Sequence, residues 1–140
     1  MPHIENIYFT DSGSFQETSI ENKLGSLFVL RGDNQKIRCL TFRKLAYPTG
    51  LKVDEEEKIL LVCEMGENRI LKYLLDENLS GNFTVFHQFS GRFGPSAIFG
   101  FASKFYVSLF EFNDLTNCGL IAVLNYNGEM IEKLSIESGG

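Results

Sequence analysis

Short apolar runs separated by turn residues recur along nearly the whole chain. Phe, Val and Ile are frequent in these runs, which is typical of β-strands rather than helices. The spacing of the runs, and the Asn127-Gly128 hairpin signal before the last of them, favour antiparallel meanders. The pattern predicts strands at residues 6–11, 25–31, 36–42, 50–54, 58–64, 69–75, 83–89, 96–100, 104–110, 119–126 and 129–136.

One run is ambiguous by pattern alone. Residues 68–79, "NRILKYLLDENL", place apolar side chains at Ile70, Leu71, Leu74 and Leu75, which is also a helical spacing. Leu and Lys are good helix formers. Periodicity therefore leaves both a strand and a helix open at this position.

The runs also repeat along the chain. Pro-Thr-Gly at 48–50 and Pro-Ser-Ala at 95–97 begin equivalent segments 47 residues apart, each followed by further strand-like runs. Four antiparallel strands in about 40–50 residues are the signature of a propeller blade. The first group has only three runs, which match the second to fourth strands of a blade. The prediction is an all-β partial β-propeller in a single domain, residues 1–140, with blade-like units at 6–44, 45–91 and 92–137.

Composition narrows the functional classes. The net charge of −5 and the lack of a Lys/Arg cluster argue against a nucleic-acid partner. The acidic run "DEEEK" at 54–58 is typical of a solvated turn. No uncharged apolar run approaches the roughly 18 residues of a membrane helix, and residues 1–9 lack the pattern of a signal peptide. We expect no membrane partner.

Three cysteines, Cys39, Cys63 and Cys118, are far apart and odd in number. Because each lies in an apolar run, we expect buried reduced thiols and a reducing compartment, the cytoplasm. The Arg-Gly-Asp tripeptide at 31–33 lies between two strand-like runs and is interpreted as a hairpin turn.

Motifs of enzyme chemistry are sparse. No Ser–His–acid order, paired Cys–His ligand spacing or phosphate-binding Gly loop occurs in the sequence. His3 lies near the terminus, and His87 alternates with apolar neighbours in a run expected to be an outer strand. Neither histidine is expected to have a channel role.

Several stretches resemble a known superfamily. "IYFTDSGSF", "LAYPTGLKV…ILLVCEMGENRILKYLL", "FSGRFGPSAI" and "FYVSLFEF" are similar, in order, to the gluconolactonase-like and strictosidine-synthase-like β-propellers, which include regucalcin-like proteins. The "NRI" that follows a strand also resembles NHL-type propeller repeats. The resemblance covers residues 6–135 and implies that residues 69–75 are the third strand of a blade.

The resemblance also implies a metal site and its loss. Members are six-bladed, and many hold calcium in the central channel and hydrolyse lactones or esters. Their ligands typically include the Asn of a "PNG"-like turn and the Asp of a "GPDG"-like turn, which correspond here to Thr49 and Ser96. Neutral hydroxyls are weaker calcium ligands than carboxylate and amide oxygens. These positions are therefore degenerate, and we expect no cofactor, with calcium as the alternative.

Two acidic residues stand at predicted strand ends, Asp11 after "YFT" and Glu64 after "LLVC". The resemblance implies that such residues stabilise the blade by accepting backbone hydrogen bonds, although both are also candidate channel residues. The catalytic Glu of strictosidine synthases would lie in a later blade and has no counterpart here.

Three functions remain open. The first is a non-catalytic propeller module for interaction or structural assembly. The second is a calcium-dependent lactonase- or esterase-like hydrolase whose channel is completed by another chain, and the third is a truncated fragment without activity of its own. Because an unclosed arc leaves the faces of its end blades uncovered, we expect a homodimer or a partner protein that completes the propeller.

Overall fold

The structure, a computed structural model, describes residues 5–14, 19–75, 81–90, 93–111 and 119–136. These residues contain one short 3-10 helix, Met65–Glu67, and otherwise form strands and turns. The strands are β1 Ile7–Asp11, β2 Gly25–Leu30, β3 Ile37–Leu45, β4 Pro48–Asp54, β5 Ile59–Glu64, β6 Arg69–Leu74, β7 Phe83–Gln88, β8 Phe93–Phe101, β9 Lys104–Glu111, β10 Gly119–Leu124 and β11 Met130–Ile136.

The strands form three antiparallel meanders. The first sheet has the order β1-β2-β3, the second β4-β5-β6-β7 and the third β8-β9-β10-β11. All eleven predicted strands are present, and the all-β prediction is confirmed. Residues Arg69–Leu74 pair with β5 and β7, so the helical alternative is wrong there. Residues 76–80 lie outside the described part of the chain.

Some strand ends differ from prediction. β3 continues to Leu45, and β8 begins at Phe93. Register shifts interrupt both pairings, between Gly25 and Phe28 opposite β3 and between Pro95 and Ala97 in β8. A β-bulge adds one residue to a strand and breaks the alternation of inward and outward side chains, although the strand itself continues. A prediction that relies on this alternation therefore ends or begins the strand at the bulge.

The three sheets stack face to face with the second in the middle. In β5, Leu60 and Val62 face the first sheet, while Leu61 and Cys63 face the third, and all four are fully buried. Because both faces are covered, β5 is apolar without alternation. The layer between the first and second sheets contains Leu27, Leu45, Leu60, Val62, Leu71 and Tyr73. The layer between the second and third contains Ile59, Leu61, Cys63, Ile70, Phe86, Phe89, Phe105, Val107, Leu109, Ala122 and Leu124.

The cysteines do not share one environment. Cys63 is buried as expected, but Cys39 is exposed, so the prediction of a buried thiol is wrong for Cys39. Cys39 pairs with Phe28 across the first sheet, on the face that neither of the other two described sheets covers. An apolar run can thus put a thiol on an open face. Cys118 lies outside the described residues.

Iodoacetamide is expected to alkylate Cys39 in the native protein and to leave Cys63 unmodified. Burial raises the pKa of the Cys63 thiol to about 12. At pH 8 the thiolate fraction would therefore be on the order of one in ten thousand even if the reagent reached it. Peptide mass spectrometry reads each cysteine separately, and Cys63 should be labelled only after unfolding in urea. Equal labelling of both thiols in the native protein would contradict this packing.

Within the described part of the chain, no helix is long and apolar enough to cross a membrane.

Candidate functional site

The four predicted site residues lie near one edge of the stacked sheets. Asp11 ends β1 and Glu64 ends β5, while Thr49 is the second residue of β4 and Ser96 the fourth residue of β8. Pro48 pairs with Glu64 across the second sheet, which brings the start of β4 to the end of β5. The topology therefore gathers these residues at the end of the stack where the resemblance places a channel site.

Thr49 links the sheets to one another. Its hydroxyl donates to the carbonyl oxygen of Pro95 in the third sheet at 3.0 Å, and its own carbonyl accepts from the Thr10 hydroxyl of the first sheet at 3.3 Å. The neighbouring Gly50 allows close approach, since a methyl group there would lie 2.9 Å from the Cα of Ala97. Thr49 thus contributes a hydrogen bond to the junction between two sheets.

Ser96 is bonded within the third sheet. Its hydroxyl lies 2.8 Å from the hydroxyl of Ser108 and 3.3 Å from the Ser108 carbonyl oxygen. Two hydroxyls bonded to each other lack the general base that would activate a serine nucleophile. Among the described residues, no group of three or more His, Cys, Asp or Glu side chains is placed to hold a metal ion.

Glu64 is fully buried and has two strong partners. One carboxylate oxygen accepts from Nε of Arg69 at 2.6 Å, and the other accepts from the backbone N–H of Ala46 at 2.7 Å. Ala46 lies in the connection from the first to the second sheet. The carboxylate therefore ties this connection to the β5–β6 turn, which is the backbone-accepting role implied by the resemblance. Both of its oxygens are engaged.

Asp11 is exposed and bonded to its own turn. Its Oδ1 accepts from the backbone N–H of Gly13 at 3.0 Å, as in an Asx-turn. The side chain thus shapes the turn after β1.

The histidines lie apart from this edge or outside the described residues. His87 is in β7, the outermost strand of the second sheet as predicted, and its Nδ1 lies 2.7 Å from the carbonyl oxygen of Gly128. The ring therefore contacts the third sheet at the rim of the stack. His3 lies outside the described residues.

Sequence reasoning missed the partners of these residues. Thr10 and Ser12 donate to the carbonyls of Thr49 and Pro48, and Arg69 pairs with Glu64. The pairing of Arg69 with Glu64 could have been predicted from the sequence, because the two residues lie opposite each other in the β5–β6 hairpin. The hydroxyl contacts join different sheets and carry no sequence signal.

The chain resembles proteins of known structure in its fold, at low sequence identity. No family model and no curated protein matches the chain by sequence. A chain in the crystal structure of a nidogen/laminin complex aligns with 92% of this chain at a TM-score of 0.66 and 18% identity. The calcium-binding protein regucalcin from Agrobacterium tumefaciens strain C58 aligns with 81% of it at a TM-score of 0.62 and 15% identity.

The fold is a partial β-propeller. The three sheets are successive blades, and the first consists of three strands, as the sequence predicts. At these identities the likeness shows the fold alone. The alignments cover 42% and 37% of the two neighbouring chains, so this chain spans less than half the length of either.

Proposed function

We propose that this propeller arc is a non-catalytic protein-interaction module that docks through its open end blades. The observation that carries the proposal is the face of the third blade that no other described part of the chain covers. Phe99 is 65% exposed there. Beside it runs an apolar groove of about 220 Å³, lined by Ala97, Ile98, Phe99, Tyr106, Ser108 and Ile121.

The first blade presents a second apolar face at the other end of the arc. Ile7 is 59% exposed and Ile37 64%, and the Phe9 ring stacks on Phe28 with centroids 5.3 Å apart. Contiguous exposed apolar side chains of this kind mark surfaces that bind protein. The occupant of either face is another copy of this chain or a different protein.

The contacts at the degenerate positions support the non-catalytic part of the proposal. The hydroxyls of Thr49 and Ser96 are oriented by bonds to neighbouring strands, and the Glu64 carboxylate is neutralised by Arg69. Calcium prefers several oxygen ligands with anionic groups among them. In this protein these side chains instead form hydrogen bonds and an ion pair between and within the blades.

A reducing compartment, the cytoplasm, fits the same proposal. Cys39 is an exposed free thiol and Cys63 a buried one. Disulfides form and persist in oxidising compartments, whereas the cytosol keeps thiols reduced.

Calcium titration by calorimetry is expected to give no binding heat, and the melting temperature should be the same in millimolar calcium and in excess chelator. A ligand that binds only the folded state would raise the melting temperature by mass action. The same samples should not hydrolyse simple aliphatic lactones or aryl esters above the buffer rate.

The alternative is a calcium-dependent hydrolase whose channel another chain completes. The gathering of Asp11, Thr49, Glu64 and Ser96 at one edge favours it, as does a fold shared with a calcium-binding protein. Micromolar calcium binding that Ser96→Ala abolishes would establish this alternative and overturn the non-catalytic proposal. Binding that Ser96→Ala leaves intact would indicate a different metal site and would also contradict the proposal.

A further inference from the structure

The outermost strand of the first blade, β3, carries a concentration of positive charge in an acidic chain. Residues 36–44 contain no Asp or Glu and four cations, Lys36, Arg38, Arg43 and Lys44, whereas the net charge of the chain is −5. Apolar residues separate these cations into two pairs along the sequence, but all four are exposed. Within the described part of the chain, none of them forms an ion pair with an acidic side chain.

Protection of a free strand edge does not by itself explain this charge. Charged side chains on edge strands prevent unwanted pairing between chains. The outermost strand of the second blade, β7, is also the edge of its sheet, yet Phe83–Gln88 contains no Asp, Glu, Lys or Arg. In the third blade, β11 carries one charge of each sign, Glu132 and Lys133. The excess of cations is therefore specific to β3.

A groove opens beside these cations, between the outer edges of the first and second blades. Its volume is about 810 Å³. Phe42 on one side is 59% exposed and Phe83 on the other 39%, so the groove presents aromatic surface as well as charge. The residues that line it include Leu40, Thr41, Phe42, Lys44, Asn82 and Phe83.

The junction between the second and third blades provides an internal comparison. Leu40 and Phe86 are equivalent positions, because each is the extra residue at the bulge of its outermost strand. Each also places its carbonyl oxygen directly against a glycine of the following blade, Gly81 and Gly128 respectively. The residues that come next in the two strands, Thr41 and His87, can therefore be compared directly.

These two residues make different contacts. His87 bridges to the turn of the following blade, with its Nδ1 2.7 Å from the carbonyl oxygen of Gly128. The hydroxyl of Thr41 instead lies 3.0 Å from the hydroxyl of Tyr73, in the buried layer between the blades. The shorter side chain at the first junction thus points inward, and the groove lies outside it.

The edge of β3 is suited to an extended peptide. In the sheet order β1-β2-β3, β2 lies on one side of β3 and no described strand lies on the other. A peptide that adds a strand to such an edge gains main-chain hydrogen bonds, and its alternate side chains give specificity. The guanidinium of Arg43 lies over the Phe42 ring, 5.2 Å from its centroid, and so stands beside the groove near Lys44.

We infer that this groove binds an extended acidic peptide of a partner protein. Its carboxylates would pair with Arg43 and Lys44, and its apolar side chains would contact Phe42 and Phe83. Charge complementarity selects the occupant, because cations without acidic partners in the free protein gain charge-assisted hydrogen bonds to carboxylates. The groove lies at the rim between two blades, so the inference goes beyond the end-blade faces proposed above and does not depend on them.

A fluorescein-labelled decapeptide of five Glu-Val repeats is expected to bind the protein saturably in fluorescence anisotropy at low salt. Its affinity should fall as the salt concentration rises, because exposed charges are screened. A decapeptide of five Lys-Val repeats has the same length and apolar content and should not bind. A decapeptide of glutamates alone should bind more weakly than the Glu-Val peptide, because it offers no apolar side chain to the two aromatic rings.

Lys44→Glu should weaken binding of the Glu-Val peptide roughly 10-fold, since it replaces an attraction by a repulsion. Lys104→Glu is the matched control, because Lys104 is exposed on the third blade and its reversal changes the net charge equally. Phe42→Ala should also weaken binding. All three variants change exposed side chains, and circular dichroism and melting confirm that they are folded.

Amide NMR spectra of the wild type locate the site without any variant. The Glu-Val peptide should shift the resonances of Gly81 and Asn82, which line the same groove as Lys44.

Four outcomes would overturn the inference. They are no saturable binding of the Glu-Val peptide, equal weakening by Lys44→Glu and Lys104→Glu, no shift at Gly81 and Asn82, or equal or tighter binding of the all-glutamate peptide or of a ten-thymidine oligonucleotide. The last would indicate non-specific attraction of polyanions. The calcium and hydrolysis measurements are independent of all four, so failure here leaves the non-catalytic proposal standing.

Discussion

Glu64→Gln is expected to lower the free energy of unfolding by about 3–5 kcal/mol, the usual effect of removing one partner from a buried ion pair. The Glu64 side chain is completely buried and its partner Arg69 is 19% exposed, so water replaces little of the lost interaction. The glutamine amide can still accept from the N–H of Ala46, but its NH₂ group would then face the guanidinium, donor against donor. Urea denaturation followed by fluorescence or circular dichroism measures the change.

Glu67→Gln is the matched control for this prediction. Glu67 pairs with Lys23 at 3.2 Å, and the two side chains are 23% and 30% exposed. Loss of a partly exposed surface pair of this kind changes stability by at most about 1 kcal/mol. Similar losses of stability in the two variants would show that the buried Glu64–Arg69 pair stabilises the fold no more than the Glu67–Lys23 pair does.

Gly128→Ala is expected to lower the free energy of unfolding by about 2–5 kcal/mol. Alanine at a left-handed φ of 82° is strained by roughly 1–2 kcal/mol. Its methyl group would also meet the carbonyl oxygen of Phe86 at 2.1 Å, which forces the second and third blades apart and adds about 1–3 kcal/mol. Chemical denaturation gives the loss, and the same shift should loosen the contact of His87 with Gly128.

Gln35→Ala shows which part of that loss comes from the neighbouring blade. The turn has the same conformation, with φ 57°, but the described chain has no blade before it, and the only side-chain bond lost is the exposed one to Gly32. The expected change is below about 1 kcal/mol. A loss as large as that of Gly128→Ala would mean that backbone conformation, rather than contact between blades, sets the requirement for glycine.

The strands and their grouping follow from the sequence because they are local properties. Alternating apolar runs and turn pairs such as Asn127-Gly128 set where a strand begins and ends. The 47-residue repeat of Pro48 and Pro95 then predicts equivalent blades, and both the eleven strands and the propeller fold are confirmed. The register shifts in β3 and β8 could not be predicted, because a bulge breaks the alternation of apolar and polar residues on which strand prediction depends.

The candidate site could be predicted only in part from the sequence. Its residues were found by resemblance, and Glu64 could have been paired with Arg69 from the hairpin alone. The direction of the Thr49 hydroxyl could not be predicted, because its acceptor, Pro95, belongs to another blade and lies 46 residues away. Whether these positions bind calcium stays a prediction until the titration is done.

The sequence by itself determined that this chain is built of repeated antiparallel blades, since that depends on the spacing of apolar and turn residues along one strand or hairpin. Tertiary structure decided what each repeat position contacts. Thr49 donates a hydrogen bond to the next blade, and Cys39 lies on an exposed face of its sheet. Gln35 has the positive φ that Gly81 and Gly128 have in the other two blades, where each glycine contacts the preceding blade. The physical reason is that these contacts form between blades, where distances are set by packing and not by the order of residues in the chain.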